Sequence, residues 1–154
     1  LARARERLIA QLADAPNPVV LTGDYHAGMV LDVHASPFDT SSAVVAPEFM
    51  APPISSPLFP QDISGRTPHL REQLNRHGYL GVVVEPERLT ATFNVVTDVA
   101  DAASAVTVAS TWQVDAVRAF EARGADRAEA LRLMTQEYVE RMHSNVPVHE
   151  WDHV

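Results

Sequence analysis

Six short apolar runs, each of strand length and each fenced by Pro, Gly, Asn or Asp, constrain this chain more than any other feature of its 154 residues. They are "VVLTGD" (19–24), "MVLDVHA" (29–35), "SAVVAPEFM" (42–50), "YLGVVVEP" (79–86), "RLTATFNVVTDV" (88–99) and "AVTVASTWQVDA" (105–116). Runs of this length, rich in Val and Thr, read as strands, and a chain with so many must build a sheet core. The first run has the continuous apolar character of a strand buried on both faces. Glu85-Pro86-Glu87-Arg88 is a hairpin-sized link between the fourth and fifth runs.

Helices are expected at three places. Residues 1–15 put Leu8, Ile9 and Leu12 on one side and are stopped by Pro16 and Pro18. "TPHLREQLNRHG" carries the punctuation of a short helix, with Thr67 as N-cap, Pro68 at the first helical position and Gly78 at the stop. The last helix opens at Asp126-Arg127-Ala128-Glu129, places Leu131, Met134, Tyr138 and Met142 on one face, and is closed by Pro147. Between the third strand and the short helix, "APPISSPLFPQDISG" is a shaped Pro-rich loop. The order helix, strands, short helix, strands, helix defines an α/β or α+β chain with a β-rich middle.

Composition narrows the function. A net charge of −8, with arginines scattered rather than clustered, argues against a nucleic-acid or anionic-lipid partner. There is no cysteine, so disulfides and thiolate chemistry are excluded and any metal must be held by oxygen and imidazole ligands. No apolar run approaches the ~20 residues of a membrane span.

One pairing points to chemistry. In "VVLTGDYHAGMV" a strand stops at Gly23, and Asp24 and His26 follow two positions apart. If the backbone stays extended, i and i+2 face the same way, so the carboxylate and the imidazole share one space at the carboxyl end of a strand. Gly23 permits a sharp exit from that strand. Carboxylate plus neutral imidazole suits iron, manganese, zinc or, on the oxygen side, calcium. The plainer reading has Asp24 capping a turn and His26 hydrogen-bonded as a structural histidine.

The surrounding sequence resembles the PhoD-like family of metal-dependent alkaline phosphatases and phosphodiesterases, from about residue 17 to about 114. "VVLTGDYHAGMVLDV" is similar to the family's Gly-Asp-x-His strand end, including the later Asp32. "VVAPEFMAPPISSP" is similar to its Glu-Phe stretch and Ser-Pro loop. "TPHLREQLNRHGYLGVVVEPERLTATFNVV" is similar to its Pro-His, Gly-Tyr and hairpin segment, with Thr67 where the family often has Asn. The resemblance implies the C-terminal half of a metallophosphoesterase-type β-sandwich flanked by helices over residues 1–114, with a helical extension over 115–154. It implies a phosphate ester substrate and two metal ions, iron plus calcium or another divalent ion. Asp24 and His26 would be late metal ligands. The earlier Gly-Asp and Gly-Asn-His motifs of such enzymes do not occur in the chain, so an N-terminal half of the same catalytic domain is the implied partner. Export to the periplasm or beyond is a further implication. From another class, the same residues fit a non-catalytic β-rich scaffold or interaction module that keeps the fold.

Other polar residues carry less. Asp32 and His34 repeat the i, i+2 spacing and read as a surface polar pair. His69, in the first turn of the expected short helix, is a weak substrate-side candidate, since free backbone N–H groups at a helix start attract anions. Ser55 and Ser56 lack a nucleophile elbow and could line a substrate mouth. "HEWDH" (149–153) matches His-Glu-x-x-His formally, but Pro147 before it and so short a stretch do not make a stable helix.

Overall fold

The computed structural model describes residues 2–116. One helix, α1 (Ala2–Asp14), is followed by seven strands: β1 (Val20–Thr22), β2 (Gly28–His34), β3 (Val44–Met50), β4 (Leu70–Leu74), β5 (Gly78–Val84), β6 (Arg88–Val96) and β7 (Val106–Asp115). They form a four-stranded sheet in the order β1-β3-β2-β4 and a three-stranded sheet in the order β5-β6-β7. The described residues are mainly β with one helix, the mixed α/β content expected from the sequence. No helix among the described residues is long and apolar enough to cross a membrane. The last expected helix and the HEWDH tail lie outside the described residues.

The two sheets pack face to face. Val30 and Phe49, opposite one another on β2 and β3, meet Ala91, Phe93, Trp112 and Val114 from β6 and β7. Phe49, Phe93 and Trp112 are essentially sealed from solvent. Aromatic side chains of this size each remove some 150–250 Å² from water, so these three dominate the hydrophobic gain. The alternation of β6, with Ala91, Phe93 and Val95 buried and the residues between them half-buried, is that of a strand facing a core on one side.

One polar group lies in this interface. Glu72 on β4 accepts hydrogen bonds through one carboxylate oxygen from Trp112 Nε1 (2.6 Å) and Ser110 Oγ (2.7 Å) on β7. These charge-assisted bonds satisfy the buried indole N–H, which also points at Ser110 Oγ at 3.2 Å, and they tie the first sheet to the second.

β4 replaces the short helix expected over residues 67–78. Thr67 and Pro68 form a turn instead, with Leu70 N donating to Thr67 O at 2.9 Å. Pairing decides the outcome: β4 runs antiparallel to β2, with Gly28 opposite Leu74 and Val30 opposite Glu72. Glu72 and Leu74 then face the other sheet, and tertiary burial outweighs local cap signals worth about 1 kcal/mol. The expected burial of the first strand on both faces fails as well. β1 is a three-residue edge strand, parallel to β3, and Leu21 is 55% exposed.

Gly78, expected as a helix stop, instead opens β5. There an added Cβ would overlap the main-chain carbonyl of Asn94 on β6, and backbone cannot step aside as a side chain can. The 85–88 link is a tight hairpin, as expected, with Glu85 N to Arg88 O at 2.8 Å. On the β2–β3 turn, Ser41 donates its hydroxyl (2.5 Å) and amide (2.9 Å) to Asp39, which holds that carboxyl below its ordinary 3.8. Gly78→Ala is expected to lower stability by about 1–3 kcal/mol, the usual cost of overpacking. Urea unfolding measures it, and an unchanged midpoint would show that the β5–β6 approach is looser than described.

Candidate functional site

β1 and β2 are not neighbours, because β3 lies between them. β1 runs parallel to β3 and β2 antiparallel to it. Residues 23–27 must therefore cross the end of β3 and reverse the chain direction at once. Two strand spacings, roughly 10 Å, have to be covered while turning. The bend is made with left-handed backbone at Asp24 (φ 72°) and His26 (φ 62°). Asp and His tolerate this region better than most side chains, yet residues held there still cost on the order of 1 kcal/mol each and cluster at functional sites.

This overturns the geometric reason first given for the pair. Asp24 and His26 do not lie in extended backbone, so strand alternation does not set their directions. Nor does Gly23 take the unusual conformation: its φ lies outside the left-handed range, and a Cβ there would meet nothing within 4 Å.

Pro-loop contacts orient His26. Its Nδ1 lies 2.7 Å from the Pro57 carbonyl oxygen, and Phe59 N donates to the His26 carbonyl at 2.9 Å. The Tyr25 and Phe59 rings pack at 4.4 Å. A carbonyl can only accept, so Nδ1 carries the proton and the neutral ring has its lone pair on Nε2. Fixing one nitrogen on a backbone carbonyl is the usual way a protein prepares the other as a metal ligand. Asp24 is exposed in the same bend. At the end of β1, Thr22 Oγ1 donates to Glu48 Oε1 on β3 at 2.6 Å, and Ala51 N continues the ladder to Thr22 O at 2.9 Å. Among the described residues no three His, Cys, Asp or Glu side chains are grouped to hold a metal ion. Asp24 and His26 fit a partial donor set, one oxygen and one nitrogen.

The other candidates sit elsewhere. His69 lies in the turn before β4, not at a helix start, so the anion site argued for it has no helix to form it. Its Nε2 is 3.0 Å from Pro37 O, and its ring packs on His34 at 4.7 Å. This is the His34 end of β2, six residue steps from Gly28, or roughly 20 Å along the strand. His69 and the Asp24/His26 bend therefore occupy opposite ends of the sheet. Asp32 and His34 are not the surface pair expected: their side chains are 8% and 7% exposed. Asp32 is paired with Arg71 on β4, whose Nε donates at 2.7 Å, and His34 Nδ1 is fixed on Ser42 O at 2.8 Å. Ser55 and Ser56 are exposed on the loop that holds His26. His77, which sequence reasoning passed over, reaches the same loop, its Nε2 3.0 Å from Ser56 O.

The described residues form a two-sheet body of mixed α/β content, with a carboxylate and an oriented imidazole in one strand-end bend. The family model of PhoD-like phosphatases matches residues 1–93, and the chain belongs to that family. A solved structure of PhoD is similar in fold, with a TM-score of 0.65 and 27% identity over 73% of this chain. The chain spans 23% of that structure's length. No curated protein matches it. The family reading agrees with the resemblance carried by the Gly-Asp-x-His, Glu-Phe and Gly-Tyr segments.

Since the strain of the bend falls on Asp24 and His26, Gly23→Ala should leave stability within about 0.5 kcal/mol of wild type. Thermal or urea unfolding reads this. A loss above 1 kcal/mol would mean that Gly23, and not its neighbours, sets the bend.

Proposed function

We propose that this chain contributes the late metal ligands of a metal-dependent phosphoric ester hydrolase, with the Asp24 carboxylate and His26 Nε2 as the donors. The observation that carries the reading is the His26 Nδ1 bond to Pro57 O, which leaves Nε2 as the lone-pair nitrogen in an exposed bend beside Asp24. Family membership supplies the phosphatase class.

The group to be held is a pair of metal ions, iron with calcium or another divalent ion. Bound, such a pair neutralises charge on the phosphoryl oxygens and activates the attacking water. Within this chain the roles are positional. Asp24 supplies an anionic oxygen, and His26 supplies a neutral nitrogen whose tautomer and ring plane are fixed before any ion arrives. The Tyr25–Phe59 contact and the Phe59–His26 backbone bond keep the bend from relaxing, so little reorganisation is left for binding. Two donors are too few for two ions that take about four to eight ligands each. The remaining ligands belong to an N-terminal half of the catalytic domain, and the substrate is a phosphate ester. Export from the cytoplasm accompanies this reading.

Assays with p-nitrophenyl phosphate and its bis-ester test it. The 154-residue chain alone, supplied with iron, manganese or calcium, should turn over neither ester measurably. A polypeptide that joins it to the complementary half should show chelator-sensitive hydrolysis, and Asp24→Asn or His26→Ala should lower it by about a hundredfold or more. Chelator-resistant activity, or activity indifferent to both substitutions, would reject the proposal.

A further inference from the structure

We propose that His77 is a positioning residue for the strand-end site: by holding the Ser56–Pro57 segment it fixes the carbonyl that sets the ring of His26. The inference rests on the reading of His26 as a ligand only for its functional meaning. Its structural content stands apart from that.

Four observations converge on the loop between Pro53 and Phe59. Gly78 N donates to Pro53 O at 3.0 Å, and His77 Nε2 is 3.0 Å from Ser56 O. His26 Nδ1 is 2.7 Å from Pro57 O, and Phe59 N donates to His26 O at 2.9 Å. Two imidazoles, one from the bend after β1 and one from the β4–β5 connection, thus grip consecutive carbonyls. Pro57 has no N–H, so the loop presents acceptors at this point and needs donors from its surroundings.

Side chains of the loop give it little other anchorage. Ile54, Ser55, Ser56 and Pro57 are exposed, Ile54 to 73%. Burial resumes partly at Pro53 and fully at Pro52 on one side, and partly at Leu58 and Phe59 on the other. Without the His77 bond the Ser56 carbonyl loses its donor, and a shift at residue 56 carries the next carbonyl, that of Pro57, away from the His26 ring. His77 is itself firmly seated. Its own carbonyl accepts from Val96 N on β6 at 2.9 Å, and the next residue is Gly78, packed on Asn94. Rigidity therefore passes from the second sheet through His77 to the loop, and from the loop to His26. Support of this kind, from groups that touch only a ligand's hydrogen-bond partner, is how sites are held to sub-ångström geometry.

The test reads tautomers rather than turnover. Nitrogen-15 NMR of the ring nitrogens is recorded on the chain without metal, at a pH well above the ordinary histidine range. Wild type should show His26 as a single Nδ1–H form. His77→Ala should replace that pattern by a mixture of the two tautomers, and His77→Gln, whose amide can donate to Ser56 O, should restore it. His34 and His69, at the other end of the sheet, should keep their wild-type patterns in both variants. An unaltered His26 pattern in His77→Ala overturns the proposal. So does a change that spreads to His34 and His69, or one that Gln leaves unrepaired, since either reflects general loosening. Because no metal is present, failure of the metal-ligand reading would show itself in the hydrolysis assays and not here.

Discussion

Sheet order is the constraint from which the site follows. With β3 inserted between β1 and β2, the five residues 23–27 must carry the chain across a strand end and turn it back. In this chain the crossing is made with left-handed geometry at Asp24 and His26; it leaves Asp24 in solvent and sets Tyr25 and His26 against the loop that leaves β3 at the same end. The carboxylate and imidazole are therefore presented by a strained, braced bend and not by a strand. In the proposed reading, bracing of this kind gives such strain its use, because it would fix the geometry of the two donors before an ion binds.

What holds the crossing in place is the sandwich behind it. Phe49 lies on β3 just ahead of the exit loop, and it is buried between Val30 and the second sheet. The bonds from Ser110 and Trp112 to Glu72 hold β4 to that second sheet, while β4 in turn pairs with β2 opposite Gly28 to Leu31. The β4–β5 connection, carrying His77, is thereby delivered to the same end of the molecule as the bend. Each half of the brace around His26 thus comes from a different sheet. The functional end is only as well defined as the packing between the two layers.

Much of the fold was legible in the sequence, for physical reasons that can be named. α1, the hairpin at 85–88 and six of the strands follow from local signals: apolar runs, proline stops and turn residues. The seventh strand was missed because Thr67, Pro68 and Gly78 mimic helix punctuation, while the forces that make 70–74 a strand act over long sequence distances. Glu72 meets its partners 38 and 40 residues later, and Arg71 meets Asp32 39 residues earlier. The same blindness turned Asp32 and His34 into a surface pair, and it placed His69 at a helix that does not exist. For the site, residue identity was readable and geometry was not. Asp24 and His26 stood out by chemistry, but their backbone depends on β3 lying between β1 and β2, which no local pattern encodes. His77 had no signal, since its role depends on a carbonyl 21 residues away.

The account stands on Asp24 and the Nε2 nitrogen of His26 gripping one ion. The most direct measurement is anomalous diffraction from crystals of the polypeptide containing both halves of the domain, grown with manganese. The account predicts an anomalous peak about 2.0–2.3 Å from a carboxylate oxygen of Asp24 and from His26 Nε2, with Nδ1 still bonded to Pro57. A manganese site elsewhere, with these two side chains beyond ligand distance, would contradict it.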